Sequence, residues 1–393
     1  MVGTMRSWGV SFHRRWLASL LAFLVIMALG GRVAAQVVVM QPPPPAAATG
    51  PLRAAILLPL SGPQAAMGQA LLQAAQLALF EVSDERLELL PRDTGGSPAK
   101  AQAALRDALA SGAKLILGPL FGTEANALRP LAAAAGVPMI TFSNDVGLAG
   151  GGVYVFGFGP EQETQRVISF ALSQGYRRLA VIAPQGAYGE RLLRVTHDAL
   201  GAQGGELTLI ARPSASDPAS VLKEIKAGQG HFDAVLMGSG GQELRVIAAQ
   251  GVAQGLWGDR SETRMQLLGT GQWDEPSLSR ESGLIGGWYP AADPATRQAF
   301  AERYKRAFGL EPPRLATLGY DAVALASVLS RQGSFGASIA WLTQSGGFSG
   351  VDGIFRLRPD GLTERGLAVL TPTVQGPQVV DPALQVFAAT MGR

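Results

Sequence analysis

Residues 53–80 read RAAILLPLSGPQAAMGQALLQAAQLALF, and the order of pieces within them decides the fold. A short apolar run, Ala54–Leu58, meets the turn Pro59-Leu60-Ser61-Gly62-Pro63 and then a long amphipathic segment. Leu71, Ala74, Ala75, Ala78 and Leu79 recur at i, i+3, i+4, i+7 and i+8, the apolar stripe of a helix lying on a sheet. Strand, turn and helix form the opening unit of a parallel α/β domain, where ligands sit outside the carboxyl ends of the strands. Ser61 and Gly62 fall at that edge, so the turn reads as the first half of a cleft.

The same alternation continues downstream. Further strands are expected at Leu87–Arg92, Lys114–Leu117, Pro138–Thr141, Leu179–Ala183, Leu207–Ala211, Ala234–Met237 and Gln266–Gly269, with helices near 67–82, 98–111, 123–135, 161–175, 188–203, 217–228 and 241–254. Ser97 and Pro98 give the second helix a cap and a first residue, and Gly112 ends it. Around Gly150-Gly151-Gly152 and Phe156-Gly157-Phe158-Gly159-Pro160 the pattern pauses and restarts, which marks a border between two lobes. Two more helices, 294–308 and 315–330, follow Trp288-Tyr289-Pro290. β-like pieces at Gly353–Arg358 and Leu367–Thr371 then close the folded part. The expected class is α/β, with two doubly wound parallel-sheet lobes.

The N-terminus and composition bound the setting. Residues 1–35 have the form of a cleaved secretory signal, with Arg6, Arg14 and Arg15 ahead of the apolar run Trp16–Leu29 and a small-residue site at Val33-Ala34-Ala35. At about 14 to 16 apolar residues, the run is short for a membrane span of roughly 20. The 33 basic residues, less Arg6, Arg14, Arg15 and Arg32, leave 29 against 30 acidic ones in the mature chain. Its net charge is then about −1, and no basic patch interleaved with aromatics points to nucleic acid. The chain has no cysteine, so core burial rather than disulfides must hold the fold in an oxidising compartment. Residues 36–51, rich in proline and alanine, form an extended linker.

Several strand-end loops carry candidate binding groups. Gly118-Pro119-Leu120-Phe121-Gly122-Thr123 runs into helix 123–135, so Gly122 and Thr123 present backbone N–H groups suited to a carboxylate. Thr123 as a plain helix cap is the alternative. The Thr141–Asp145 loop adds Ser143 and Asp145. Tyr188 opens a helix after the fifth strand, while Gln272, Trp273 and Asp274 follow the eighth. Asp93-Thr94-Gly95-Gly96-Ser97 reads as a solvated turn, and Gly238-Ser239-Gly240-Gly241 lacks the spacing of a nucleotide loop. No catalytic residue is assigned. After signal removal only His197 and His231 remain, and no GxSxG, HExxH or P-loop motif is present. No metal site and no cofactor are expected.

These residues resemble the leucine-binding-protein family, the type I periplasmic binding proteins. The carriers are Leu58-Pro59-Leu60-Ser61-Gly62-Pro63 with Gly68, Asp93-Thr94, Leu117-Gly118-Pro119, Gly136–Thr141 and Ala187-Tyr188-Gly189, between about Arg53 and Thr371. The resemblance implies two lobes joined by a three-crossing hinge: 52–158 with 287–345, 159–286 with 346–372, and a C-terminal tail at 373–393. It also implies a small-molecule ligand held by Gly122, Thr123, Ser143, Asp145, Tyr188 and Gln272. Gln272 stands where amino-acid-binding members carry an acid, and Gly240 falls near an aromatic position. The implied function is non-catalytic capture, in the periplasm, of a small polar ligand (an amino acid, amide or related molecule) for an ABC-type membrane importer. The same segments also resemble the C-terminal domain of penicillin-binding-protein activators. That alternative implies contact with a cell-wall synthase.

Overall fold

β1 (Leu52–Leu58) is buried at every residue but Arg53, as a central parallel strand must be when helices cover both faces. The computed structural model describes residues 51–387 apart from 83, 259–264, 276–277, 279 and 332–340. The expected signal at 1–35, and the linker except Pro51, lie outside the described residues. β1 pairs in parallel with β2 (Leu87–Asp93) and β3 (Leu115–Leu117). β4 (Met139–Thr141) and β5 (Val153–Val155) extend the sheet to the order β2-β1-β3-β4-β5.

α1 (Ala65–Val82) and a late helix, α9 (Ala316–Arg331), cover one face of this sheet through Leu71, Ala75, Leu318, Ala322 and Leu325. α2 (Pro98–Ala110) and α3 (Gly122–Ala135) cover the other face through Ala101, Leu105, Ala125 and Leu128. Ser97 caps α2 by accepting the Lys100 N–H, as expected, and Pro98 follows it.

The second parallel sheet has the order β7-β6-β8-β9, from β6 (Arg178–Ile182), β7 (Glu206–Ala211), β8 (Ala234–Met237) and β9 (Gln266–Gly269). α4 (Pro160–Ser173) and α5 (Ala187–Gln203) lie on one face, with α6 (Val221–Ala227) and α7 (Gly241–Ala253) on the other. The expected helix at 217–228 is split: a 3-10 turn, Pro218–Ser220, precedes the seven residues of α6.

Five strands were not expected, two of them in the antiparallel sheet described below. β5 follows directly on the glycine run. β10 (Tyr289–Ala291) precedes α8 (Pro294–Phe308) and pairs antiparallel with β14 (Ala368–Thr373), which in turn pairs with β15 (Gly376–Asp381). Residues 376–381 of the expected tail are therefore a strand, formed because the chain reverses at Thr373–Gly376.

The cores take up the segments that follow the expected borders at 286/287 and 345/346. Tyr289 and Ala291 join the second lobe's core. The antiparallel sheet of β11 (Phe348–Gly350), β12 (Gly353–Leu357) and β13 (Thr363–Arg365) sends Phe355 and Leu357 into the first lobe's core. Thr363 Oγ1 donates to Val155 O at 2.6 Å, and Leu362 bridges Val155 in parallel, so this segment continues the edge of the first sheet. Among the described residues no helix is long and apolar enough to cross a membrane.

Candidate functional site

Asp93, at the end of β2, ties the first loops of this lobe together. Its Oδ1 accepts N–H bonds from Leu60 at 2.8 Å, Ser61 at 3.1 Å and Gly95 at 2.8 Å, and its Oδ2 accepts the Ser61 hydroxyl at 2.6 Å. Desolvation alone would raise its pKa, but these hydrogen bonds to the charged form outweigh it and hold the carboxyl below its ordinary value. The segment read as a solvated turn is exposed at Asp93, as expected, and also braces the β1–α1 loop.

α3 begins at Gly122, with Phe121 at the capping position, so Thr123 lies inside the first turn and is exposed rather than capping. Buried Glu124 reaches back toward the Phe121 N–H at 3.4 Å, and its carboxyl is pushed up by burial despite the neighbouring Thr94 hydroxyl. The structure brings Gly122, Ser143 and Asp145 together. A β-carbon at Gly122 would stand 3.2 Å from Ser143 Oγ and 3.6 Å from Asp145 Oδ2. Ser143 Oγ accepts the Asp145 N–H at 3.1 Å, and Asp145 Oδ1 accepts the Gly147 N–H at 3.0 Å. Here a helix N-terminus, a hydroxyl and a carboxylate share one strand-end edge.

The second lobe presents Tyr188 and Gln272. The half-buried Tyr188 donates its hydroxyl to Thr270 Oγ1 at 3.0 Å, and the same oxygen accepts the Gln272 N–H at 3.3 Å. Burial is the main reason the Tyr188 pKa is pushed up to about 12. Gln272 lies over Gly240, where a β-carbon would come within 2.8 Å of its Oε1. The amide therefore fills space that a side chain at 240 would need. Trp273, read from sequence as facing the edge, is instead 1% exposed and packs against Tyr289 in the core.

Sequence reasoning missed a buried charged cluster beside this edge. Glu163 on α4 accepts the Gly271 N–H at 3.2 Å and lies 3.6 Å from Arg314 Nη2. Arg314 Nε is 3.3 Å from Asp274 Oδ2, which also binds Arg297. Asp321 on α9 and Asp352 are each 1% exposed, and Arg365 donates to Phe156 O at 2.7 Å. The signal was present in the sequence. Glu163 and Asp321 occupy positions on buried helical stripes, Pro160/Thr164/Val167 and Leu318/Ala322/Leu325.

A cavity of about 800 Å³ flanks the cluster, lined in part by Gln272, Asp274, Tyr289, Arg297, Phe300 and Arg314. Of the six residues expected to hold a ligand, it includes only Gln272.

Two doubly wound lobes with polar loops at their strand ends narrow the family, and similarity to known proteins decides it. The sequence profile described as "periplasmic binding protein" matches residues 51–376. The chain belongs to the periplasmic binding proteins. A branched-chain amino acid ABC transporter periplasmic ligand-binding protein from Burkholderia xenovorans superposes with a TM-score of 0.69 at 21% identity, over 86% of this chain and 94% of that one. At that identity the likeness shows the fold.

Two curated relatives match over shorter stretches. An uncharacterised protein of Rickettsia prowazekii is 27% identical over 146 residues, 37% of this chain and 39% of the relative. The penicillin-binding protein activator LpoA of Vibrio cholerae is 26% identical over 156 residues, 38% of this chain and 25% of the relative. This periplasmic binding protein thus spans well under half the length of the curated relatives it matches.

Proposed function

We propose that this protein is a non-catalytic periplasmic solute-binding protein that closes two lobes on a small polar ligand for an ABC-type importer. The observation that carries the reading is the edge at the start of α3. Exposed Thr123 and the free N–H groups of the first turn lie beside Ser143 and Asp145, an arrangement able to hold a ligand carboxylate. Tyr188 and Gln272 face the ligand from the second lobe. With Gln272 rather than an acid there, an amide or hydroxyl fits better than an ammonium, which would enter without a countercharge. The lobes are read as about 52–158 with 293–365, and 160–292 with 367–381, following the cores. The expected signal at 1–35 would deliver the chain to the periplasm.

A second reading, contact with a cell-wall synthase, is favoured by the similarity to LpoA and by the internal bonding of Tyr188 to Thr270. Native mass spectrometry of the protein purified from its own periplasm tests both. A retained small ligand supports capture. A ligand-free protein that co-purifies with a synthase overturns it in favour of the activator.

A further inference from the structure

The two lobes meet through buried charge at Glu163. α4 carries this residue on the stripe that buries Pro160, Thr164, Val167, Ile168 and Ala171, so the helix delivers a carboxyl into an interface that excludes water. Glu163 is 8% exposed. From its own lobe it meets the Gly271 N–H, with Asp274 and Tyr188 nearby. Across the hinge it meets Arg314, from the segment ahead of α9, and Arg365 at the end of β13. On α4 itself, Glu161 is taken up by Arg191 at 3.0 Å.

Both guanidiniums are tied to aromatic rings at the first crossing. Arg314 stacks 4.1 Å above Phe158, and Arg365 lies 4.4 Å from the Phe156 ring and 4.9 Å from Phe158. Arg314 is also shared with Asp274. The nearest cation is therefore 3.6 Å away and divided between two acids. Such a pair repays only part of the desolvation of a buried carboxylate.

We propose that Glu163 is a proton-controlled element of the hinge: the lobe arrangement seen here takes up a proton on this carboxyl and releases it when the lobes part. Parting withdraws Arg314 and admits water, which returns Glu163 to an ordinary carboxyl. In the present arrangement burial, opposed by Arg314, pushes its pKa up to about 7 from 4.5. A proton bound more tightly in one arrangement favours that arrangement. Acid therefore favours the arrangement seen here, and a pH rising toward 7 increasingly favours the parted one. One titrating group can change the open-to-closed ratio by at most about tenfold per pH unit. The inference requires two lobes but neither a ligand nor a particular partner, so it stands apart from the transport reading.

The absence of native cysteine makes the test direct. Asn126→Cys on α3 and Gln242→Cys on α7, both exposed, place one spin label on each lobe outside the cluster. Pulsed electron paramagnetic resonance then reads the interlobe distance from pH 5 to pH 8. The expected result is a short-distance population that dominates at pH 5 and yields to a longer one by pH 8. Glu163→Gln should keep the short distance throughout. Asp321→Asn should preserve the pH response, because Asp321 faces Val351, Asp352 and Arg365, all on first-lobe segments. A wild-type distance that does not move with pH overturns the proposal without any variant. So does a response that survives Glu163→Gln or disappears in Asp321→Asn.

Discussion

The hydroxyl of Tyr188 donates to Thr270 Oγ1 at 3.0 Å, so the aromatic residue proposed for the cleft is fastened within its own lobe. Thr270 is fully buried and also accepts the Gln272 N–H, so one hydroxyl sets the positions of both second-lobe candidates. A ligand meeting this wall encounters a preset ring and amide, whose ordering cost is met on folding rather than on binding.

Tyr188→Phe should therefore act mainly on stability. Loss of one partly buried hydrogen bond costs about 1 kcal/mol, and the urea midpoint should fall accordingly with an unchanged slope. Ligand affinity should change little if the ring alone contacts the ligand. Isothermal titration calorimetry on the variant separates the two roles: an affinity loss of more than about tenfold, which is 1.4 kcal/mol, would show that the hydroxyl itself binds.

Asp321 predicts how stability varies with pH. Burial first, then the Asp352 charge, push its carboxyl up to about 7 from 3.8, while the Val351 N–H opposes them. A folded-state pKa above the unfolded one means that the folded chain holds a proton the unfolded chain has lost. Stability then falls as pH rises from about 4 to about 7 and levels off above. Asp321→Asn keeps an acceptor for Val351 N and removes the charge. It should raise the urea midpoint at pH 8, by up to a few kcal/mol in stability, and do little at pH 4. Equal effects at both pH values would refute this.

Much of the fold was legible because its two periodicities are strong. The strand at Ala54–Leu58 and the stripe from Leu71 to Leu79 were read correctly from spacing alone. The strands β5, β10, β11 and β13 were not, being three residues each, too short for alternation to accumulate, and β15 opens on Gly376-Pro377. The lobe borders were not legible, because they depend on which core Phe355 and Tyr289 enter, a tertiary fact. At the site, sequence located the loops but not their internal bonding. Nothing in Asp93-Thr94-Gly95 shows that the carboxylate reaches back to Leu60 and Ser61 across two neighbouring strands.

The helix pair that joins the late segment to the first lobe depends on a close approach. A β-carbon at Gly319 in α9 would stand 2.3 Å from Leu71 O in α1. The obstacle is backbone, so it cannot rotate aside, and the helices must separate. Gly319→Ala should destabilise by about 1–3 kcal/mol despite the better helix propensity of alanine. Chemical denaturation checks this, and a neutral or stabilising result would show that the pair tolerates the shift.

Thr123 separates helix stability from binding at the first lobe. An acid in the first turn interacts favourably with the helix dipole, by about 0.3–1 kcal/mol at an exposed position. Thr123→Asp should therefore leave the empty protein as stable as the parent or slightly more so. The same charge would oppose a ligand carboxylate held at Gly122, Thr123 and Ser143. Like charges at about 4 Å repel by about 4 kcal/mol at the effective dielectric of a protein surface, enough to abolish binding. Thermal unfolding with and without a ligand retained by the native protein reads both effects in one series. The expected result is an unchanged or raised melting temperature without ligand and no ligand-induced shift. A full ligand shift in this variant would place the carboxylate elsewhere, with the cavity lined by Arg297 and Arg314 as the next site to probe.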